Sequence, residues 1–332
     1  MAIIPQVGRK KIRVRLLLFS ITLFLWLGVF LHLFPVWWTL VTSISPYHEV
    51  YKLPPSFFPR HPTLFPYKFL FSAAMQTGVT IRQGERIVTL HFGYSQFYPI
   101  WVYLKNSVIL TGGIMVFQIP ITALVAYSLS KLHSPRWNRI LFIFFIGTML
   151  IPYQISLVPS YLLLKNFPFA FRTSSLRGIN FLDTYWAVIL PGMYSAFNCL
   201  LFKGYFDGIP ESIIQAARLD GASELGIIRR IILPTSKPVF AVVSYFTFTG
   251  AWNSFMWPLI VFKKAKLFPL PVFLYEIQAS VSDIKNPEYA RYLGGGIPLV
   301  MAAGIIQSIP VFIMFIIFRE QLMKGIQLRG FK

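Results

Sequence analysis

Charged residues are scarce in this sequence, and acidic residues are the scarcest of them. Only 11 of the 332 residues are aspartate or glutamate, against 31 lysines and arginines, and all charged residues together make up 13% of the chain. Ordinary soluble domains carry about 25% charged residues. Because 55% of the chain is hydrophobic, a water-soluble fold could not hide its apolar surface, so we expect lipid to be its solvent.

Cysteine and the common metal and nucleotide motifs are also nearly absent. The single Cys199 cannot form an internal disulfide and leaves no cysteine-based metal pattern, and the five scattered histidines form no metal-like pair. No Gly-x-x-x-x-Gly-Lys-Ser/Thr phosphate loop occurs, so the chain is not expected to hydrolyse ATP. The net charge of +20 is explained by basic flanks of membrane spans, and no nucleic-acid partner is predicted.

Long apolar stretches are abundant. A helix needs roughly 20 apolar residues to cross the hydrocarbon core, and six stretches of the sequence qualify: 16–41, 102–129, 140–164, 185–206, 239–261 and 297–318. The first follows a basic cluster, as a signal peptide does, but it is too long and no small-residue cleavage site follows it. We therefore predict an uncleaved anchor, six spans and both termini in the cytoplasm.

The segments around these spans give the predicted organisation. Residues 1–42 form a cytoplasmic tail and the first span, 43–101 an extracytoplasmic segment, 102–319 the main transmembrane domain and 320–332 a cytoplasmic tail. Within 43–101, the alternating stretches 79–82 and 87–90 flank a Gln83-Gly84 turn and predict a small hairpin. The fold class is thus an all-α membrane protein with about six transmembrane helices, a helical loop at 207–238 and a small extracytoplasmic insertion.

The loop 207–238 is a polar island in this apolar sequence. Pro210 before Glu211 suits the start of a short helix, and Asp220-Gly221 predicts a break after it. A second helix is expected from Leu225 until Pro234. Taken alone, Asp220-Gly221 is best explained as a simple turn; the whole pattern predicts a helical hairpin with a small, partly apolar face on the cytoplasmic side.

The loop resembles the "EAA" loop of the membrane subunits of bacterial ABC importers. Residues 215–223 read Gln-Ala-Ala-Arg-Leu-Asp-Gly-Ala-Ser, and Ile231-Ile232-Leu233-Pro234 follows. The likeness extends over 102–332 to the smaller permease of maltose-type carbohydrate importers. It is carried by Asn106-Ser107, Ala126-Tyr127-Ser128-Leu129, Pro152-Tyr153-Gln154, Val158-Pro159-Ser160-Tyr161, Ala251-Trp252-Asn253-Ser254-Phe255, Trp257-Pro258-Leu259 and the tail 325–332.

The resemblance implies partners and contact residues. It implies a second permease subunit forming a heterodimer, an ABC ATPase dimer that binds ATP and Mg²⁺, an extracytoplasmic solute-binding protein, and a place in the bacterial inner membrane. The ATPase would dock on Gln215, Ala216, Ala217, Asp220, Gly221 and Ala222, and the tail would touch it through Gly325, Gln327 and Gly330. Gln215 stands where the family usually has glutamate, so this position keeps its hydrogen-bonding capacity but lacks the charge for an ion pair to the ATPase.

The resemblance also implies transport of a sugar or oligosaccharide. Tyr245, Trp252 and Asn253 are the predicted substrate path, because sugars stack on aromatic rings and bond to amides; helix packing is the competing explanation, favoured for Tyr245 and about even for Asn253. Which sugar, and whether it is anionic, stays open. The alternatives are an ion-coupled secondary transporter or a membrane-embedded enzyme, both disfavoured by the lack of clustered carboxylates.

Overall fold

The structure is a computed structural model that describes residues 12–50, 52, 56–72, 79–83, 86–90, 97–132, 135–169, 178–283 and 296–327. These residues are predominantly helical, which confirms the predicted class. They fall into two compact units, one formed by 1–70 with 284–305 and the other by 71–283 with 306–332. This division follows compactness, whereas the predicted boundaries at 42 and 101 follow the sides of a membrane and stay a prediction.

The first unit begins with a long apolar helix. Its elements are α1 (Ile12–Ser43), α2 (Tyr47–Val50) and most of α3 (Phe65–Phe71). Along α1 nearly every large apolar side chain is exposed, Trp26 at 68% among them, which is what a helix surrounded by lipid requires. The link to α3 is fixed by the buried carboxylate of Glu49, which accepts the backbone N–H groups of Arg60 at 2.8 Å and His61 at 3.1 Å.

A two-stranded hairpin confirms the prediction made from the alternating stretches. Strands β1 (Val79–Gln83) and β2 (Arg86–Leu90) pair antiparallel, with Val79 opposite Leu90 and Gln83 opposite Arg86. Gln83, which the sequence analysis placed in the turn, is instead the last residue of β1, and Gly84 lies outside the described residues.

The helix α4 (Ile100–Tyr127) organises the second unit, and a π-helical segment, Ser128–Leu132, continues it. Its buried positions recur every three or four residues, as expected of one face of a helix. They include Tyr103, Ser107, Leu110, Ile114, Gln118 and Thr122. This face carries polar side chains as well as apolar ones, so the packing around α4 includes hydrogen bonds between helices.

The predicted third span is broken. Helix α5 (Pro135–Gly147) and a 3₁₀ turn, Thr148–Leu150, are followed by α6 (Tyr153–Lys165), and the two halves meet at 98°. Ile151 is extended, with φ −82° and ψ 115°, because the ring of the following Pro152 disfavours helical backbone in the preceding residue. The sequence analysis placed a proline there without predicting a bend of this size.

The predicted fourth span is divided further. It consists of α7 (Trp186–Ile189), a 3₁₀ turn (Pro191–Met193) and α8 (Ala196–Phe206). Tyr194 and Ser195 are extended, which interrupts the helix. The Ser195 side chain accepts a hydrogen bond from the Asn198 N–H, so Ser195 is the N-cap of α8. The stretch therefore contains no single helix long enough to span a membrane.

The loop 207–238 and the elements after it complete the second unit. They are α9 (Glu211–Leu219), α10 (Glu224–Ile227), a π-helical segment (Ile228–Ile232), α11 (Leu233–Thr235), α12 (Lys237–Trp252), α13 (Met256–Val261), α14 (Leu270–Asp283) and α15 (Ile297–Gln327), the last of which begins in the first unit. The predicted fifth span is thus two helices, interrupted at 253–255.

By length and composition, the described part of the chain has three helices able to cross a membrane: Val14–Ser43, Ile100–Leu132 and Ile297–Met323. Two bent pairs raise the number to five if each is one span. In one of these pairs, Glu224–Thr235 meets Lys237–Trp252 at 83°. This bend connects the end of the polar loop to α12. The six predicted spans exceed this count of up to five because the predicted span 185–206 is divided into short helices.

Candidate functional site

Helix α9 has the ends that the sequence predicts. Pro210 precedes its first residue in an extended conformation, and Glu211 lies in its first turn, where an acid favours the helix dipole. At the other end Gly221 has φ +79°. Its N–H bonds to the Arg218 carbonyl, and the Ala222 N–H bonds to the Ala217 carbonyl, both at 3.0 Å. This is a Schellman cap, which stops the helix and reverses the chain.

The second helix of the loop starts at a residue that the sequence analysis did not identify. Ser223 is extended and its Oγ accepts the Gly226 N–H at 3.2 Å, so it caps α10. A serine followed by glutamate in a first turn is the pattern that could have revealed it. The predicted helix from Leu225 to Pro234 is present, but Ile228–Ile232 is π-helical.

The inner face of the loop is apolar and closely packed. Ile214 on α9 and Ile227 on α10 are both fully buried, in a cluster that includes Phe202 and Phe206 of α8 and Tyr127 of α4. Ala217 and Ala222, two of the predicted docking residues, are partly buried against the same cluster. Their small side chains therefore serve the packing of the loop on the helices as well as any docking.

Five polar residues hold the loop to the end of α4, and we call them the loop clamp: Tyr127, Lys131, Glu211, Arg218 and Glu224. Arg218 Nε lies 2.8 Å from Glu224 Oε1, and its Nη1 lies 3.7 Å from Glu211 Oε1. Arg218 Nη2 also donates to the Lys131 carbonyl at 3.1 Å. The clamp thus joins both loop helices to each other and to one membrane-spanning helix.

The remaining contacts of the clamp bury a lysine. Lys131, with a side chain only 4% exposed, donates to the Ile209 carbonyl at 2.8 Å and lies 3.4 Å from Glu211 Oε2. The Tyr127 hydroxyl donates to Glu224 Oε2 at 2.6 Å. Two cations face two carboxylates, so the clamp is neutral as a whole, which is the condition under which a buried charge is tolerated.

The clamp also shifts the pKa of its members in the loop. The hydrogen bond from the Arg218 guanidinium lowers the pKa of the Glu224 carboxyl below its ordinary value. The same hydrogen bond raises the pKa of Arg218. Both groups are therefore held in their charged forms, and each stabilises the other.

The outer face of the loop is exposed and mostly uncharged. Four of the six predicted docking residues, Gln215, Ala216, Asp220 and Gly221, are exposed there. Two apolar side chains join them: Leu219 is 89% exposed and Ile213 47%. An isoleucine and a leucine beside an exposed alanine form an apolar patch on a rigid support, as a docking element requires. The sequence analysis assigned no contact to either residue.

The predicted tail contact is only partly described. Gly325 and Gln327 lie in the last turns of α15, and Gly330 lies outside the described residues. The contact with the ATPase stays a prediction for all three.

A cavity of about 410 Å³ lies in the second unit between α4, α6, α8 and α12. Neutral hydrogen-bonding side chains and aromatic rings both line it. The first group is Gln118, Ser160, Ser195, Asn198, Thr247 and Ser254, and the second is Tyr153, Phe197, Phe246 and Trp257. This volume and this mixture are typical of small-molecule sites.

The predicted substrate path residues are not among the described residues that line this cavity. Trp252 is buried, stacks on Phe248 at 5.6 Å and donates its indole N–H to the Gln307 carbonyl at 3.0 Å. Tyr245 packs edge-to-face on Phe246, and Asn253 is exposed at the end of α12. The first two thus make helix-packing contacts, and a role of all three in the substrate path stays a prediction. Their neighbours Phe246, Thr247, Ala251 and Ser254 line the cavity instead.

Three polar side chains from three helices meet at the wall of this cavity. Asn198 Nδ2 donates to Gln118 Oε1 and to Thr247 Oγ1, each at 3.0 Å, and Thr247 Oγ1 donates to Gln118 Oε1 at 2.8 Å. Gln118 Nε2 donates to the Gly192 carbonyl at 2.8 Å. Asn198 Oδ1 is buried without a hydrogen-bond partner among the described residues. The sequence analysis missed all three residues.

Comparison with known proteins gives one family. Residues 118–327, more than half of the chain, match the family described as binding-protein-dependent transport system inner membrane component. The arabinooligosaccharides transport system permease protein AraQ of Bacillus subtilis (strain 168) is 25% identical over 315 residues, which cover 94% of this chain and 95% of that protein. The polygalacturonan/rhamnogalacturonan transport system permease protein YtcP of the same organism is 29% identical over 217 residues, 64% of this chain and 70% of that protein.

A solved structure shows the same fold. It is the crystal structure of a bacterial ABC transporter involved in the import of the acidic polysaccharide alginate, one chain of which superposes with a TM-score of 0.72. The match covers 93% of this chain and 98% of that chain at 22% sequence identity. At that identity the likeness concerns the fold.

Proposed function

The chain belongs to the family of inner membrane components of binding-protein-dependent transport systems, and from that membership we propose how it works as a permease subunit of an ABC importer. It forms half of a path for a sugar or oligosaccharide and pairs with a second permease. An extracytoplasmic binding protein delivers the sugar, and a separate ATPase dimer, which binds ATP and Mg²⁺, drives the transport. Both termini lie in the cytoplasm.

The observation that carries the proposal is the shape and support of the loop 207–238. Its exposed face presents Ala216 and Leu219 on the first of two short helices and Gly221 in the turn between them, where both helices are capped. Its inner face is tied to α4 by the loop clamp and by buried Ile214 and Ile227. An ATPase that binds the outer face would therefore push or pull a spanning helix rather than bend a free loop.

The sugar substrate is supported by the relatives rather than by the loop. AraQ and YtcP are named for the transport of oligosaccharides or polysaccharides, and the related solved structure is of an importer of a polysaccharide. In such a system the bound sugar and ATP would shift a two-state balance between outward and inward openings of the path. The scarcity of carboxylates in the chain agrees with an energy source in another subunit.

The experiment is co-purification of the full chain from its native cells, with identification of the associated proteins by mass spectrometry. We expect an ABC ATPase and a second permease with the unaltered chain. Leu219→Arg places a charge in the apolar patch and should lose the ATPase. Leu132→Arg is the matched control, because Leu132 is also exposed, at 46%, and lies outside the loop. Equal retention of the ATPase by both variants would reject the docking assignment.

A further inference from the structure

A second cavity, of about 250 Å³, lies where the loop 207–238 meets the spanning helices, and we call it the apolar groove. It is enclosed by α4, the end of α8, the π-helical segment of the loop and the start of α12. The ten described residues that line it are Ile119, Pro120, Ala123, Leu124, Tyr127, Phe206, Ile228, Ile232, Leu233 and Phe240. None of these ten carries a charge, so the groove differs in chemistry from the larger, polar cavity.

Water is a poor occupant for the apolar groove. The lining side chains offer one polar atom, the Tyr127 hydroxyl, and that hydroxyl already donates to Glu224 Oε2 at 2.6 Å. An enclosed water is stable where about two to four polar groups bind it, and apolar cavities of roughly 150 Å³ stay dry and take up apolar molecules instead. The groove therefore favours an apolar occupant.

The apolar groove opens on a surface that lipid surrounds. Phe206 and Ile232 at its floor are each 1% exposed, whereas Leu124 is 50% and Leu233 40% exposed at its rim. On the same helix as Leu124, Val116 is 68% exposed. Because α4 and its π-helical continuation are long and apolar enough to cross a membrane, this exposed surface lies against acyl chains. The groove is thus continuous with the lipid-facing side of a spanning helix.

Three basic residues lie beside the groove-lining residues in the chain. Arg229 and Arg230 belong to the π-helical segment that lines the groove, and Lys237 is the first residue of α12. All three are exposed, and within the described part of the chain none of them forms an ion pair. The carboxylate of Glu224, in the preceding helix, is already engaged in the loop clamp. Unpaired positive charge beside an apolar groove matches an anionic head group joined to an acyl chain.

We propose that the apolar groove binds an acyl chain of an anionic phospholipid of the cytoplasmic leaflet, with the phosphate at Arg229, Arg230 and Lys237. The inference goes beyond the proposed function and takes from it that the loop lies on the cytoplasmic side. An anionic leaflet strengthens binding by about fivefold for each lysine or arginine near it, and basic pockets between spanning helices on that side bind phosphate-bearing head groups. Since residues on both sides of the 83° bend before α12 line the groove, the lipid would contact both arms of that bend.

The test uses the full chain, purified with its associated subunits into lipid nanodiscs. The probes are phosphatidylglycerol and phosphatidylcholine, each with a photoreactive diazirine within one acyl chain, and the labelled peptides are identified by mass spectrometry. We expect phosphatidylglycerol to label 119–127 and 228–240 at least about tenfold more than phosphatidylcholine does. Labelling of 19–34, where the large apolar side chains of α1 are exposed, measures the surrounding lipid and should not distinguish the two probes.

One pair of variants tests the groove itself. Ala123→Phe places a large side chain in the groove and should cause the loss of most of its labelling. Val116→Phe is the matched control, because Val116 is exposed on the same helix and does not line the groove. It should leave the labelling unchanged. Retention of the associated subunits shows that each variant is folded.

A second pair of variants tests the charges and does not depend on filling the groove. Arg229→Gln/Arg230→Gln should lower the preference for phosphatidylglycerol by about tenfold or more. Arg136→Gln/Arg139→Gln is the matched control, because these two arginines of α5 are exposed and do not line the groove. It should keep the preference.

Three results would each overturn the lipid site: equal labelling by the two probes, labelling of the groove no stronger than that of 19–34, and a preference that survives Arg229→Gln/Arg230→Gln. A groove that is crosslinked to another subunit and not to lipid would overturn it as well. The proposed function is read separately from the same preparation. A complex that keeps its ATPase but has an unlabelled groove rejects only the lipid site, and a chain that binds the lipid without any ATPase rejects only the importer proposal.

Discussion

Arg218 Nε lies 2.8 Å from Glu224 Oε1, and this contact joins the last turn of one loop helix to the first turn of the next. The same guanidinium donates to the Lys131 carbonyl of the π-helical continuation of α4. One side chain therefore connects three elements, and the loop and the spanning helix move together to the extent that these bonds hold.

Removing this contact should loosen the loop without unfolding the protein. Arg218→Met keeps the unbranched apolar part of the side chain and removes the hydrogen bonds and ion pairs of the guanidinium. Because the two side chains are 33% and 43% exposed, we expect their pairing to contribute only about 0.5–1 kcal/mol, measured as the coupling in a double-mutant cycle with Glu224→Gln. The measurement is amide hydrogen exchange of 211–227. Lys203→Met breaks the ion pair to Asp207, in which the two side chains are 15% and 47% exposed, and should leave that exchange unchanged.

The pH dependence of the loop follows from the lowered pKa of Glu224. An unfolded glutamate titrates near pH 4.3. The stabilisation from Glu224 is therefore fully present above about pH 4.3 and is lost as the pH falls through the lowered pKa. Thermal unfolding followed by tryptophan fluorescence between pH 3 and pH 6 should show this loss in the unaltered chain. It should be smaller in Arg218→Met, because without the guanidinium the pKa of Glu224 lies closer to its unfolded value, and an equally large loss in both proteins would contradict the assigned cause.

Substitutions of Gly221 test the contribution of the backbone conformation of the turn, separately from side-chain contacts. Its φ of +79° lies in the left-handed region, and a Cβ added there would have no atom within 4 Å. Gly221→Ala should therefore destabilise the loop by about 1 kcal/mol through backbone strain only, and Gly221→Asn by less. Exchange of the 211–227 amides measures both variants. Gly112→Ala, at a helical glycine with equally open surroundings, should cost nothing, and a cost equal to that of Gly221→Ala would refute the strain explanation.

A substitution of Gly113 tests how closely α4 and α7 pack. A Cβ at Gly113 would lie 2.6 Å from Ile189 Cδ1, whereas one at the adjacent Gly112 meets nothing within 4 Å. We expect Gly113→Ala to cost about 1 kcal/mol, in the lower part of the range for overpacked sites. Ile189→Val removes the clashing methyl group and should recover part of the loss in the double variant. Thermal unfolding of the purified protein measures both, and additive losses would show that the two residues do not compete for space.

The sequence by itself determined the class of the protein. The apolar stretches at 16–41, 102–129 and 297–318 appear as continuous helices because a span of about 20 apolar residues has no alternative in lipid but to bond its own backbone. The turn at Asp220-Gly221 and the hairpin at 79–90 were also predictable. Each depends on neighbouring residues whose conformational preferences act locally.

Only the tertiary structure decided which helices are broken and which side chains from distant parts of the chain meet. The bend before Pro152 and the division of 185–206 depend on which neighbours accept a broken helix. The loop clamp pairs Tyr127 with Glu224, 97 positions later, and the cavity joins Gln118, Asn198 and Thr247 from three helices. A sequence pattern shows that these side chains are polar. Their meeting is set by the packing of helices distant along the chain, because in an apolar interior a polar group is stable only where another one reaches it.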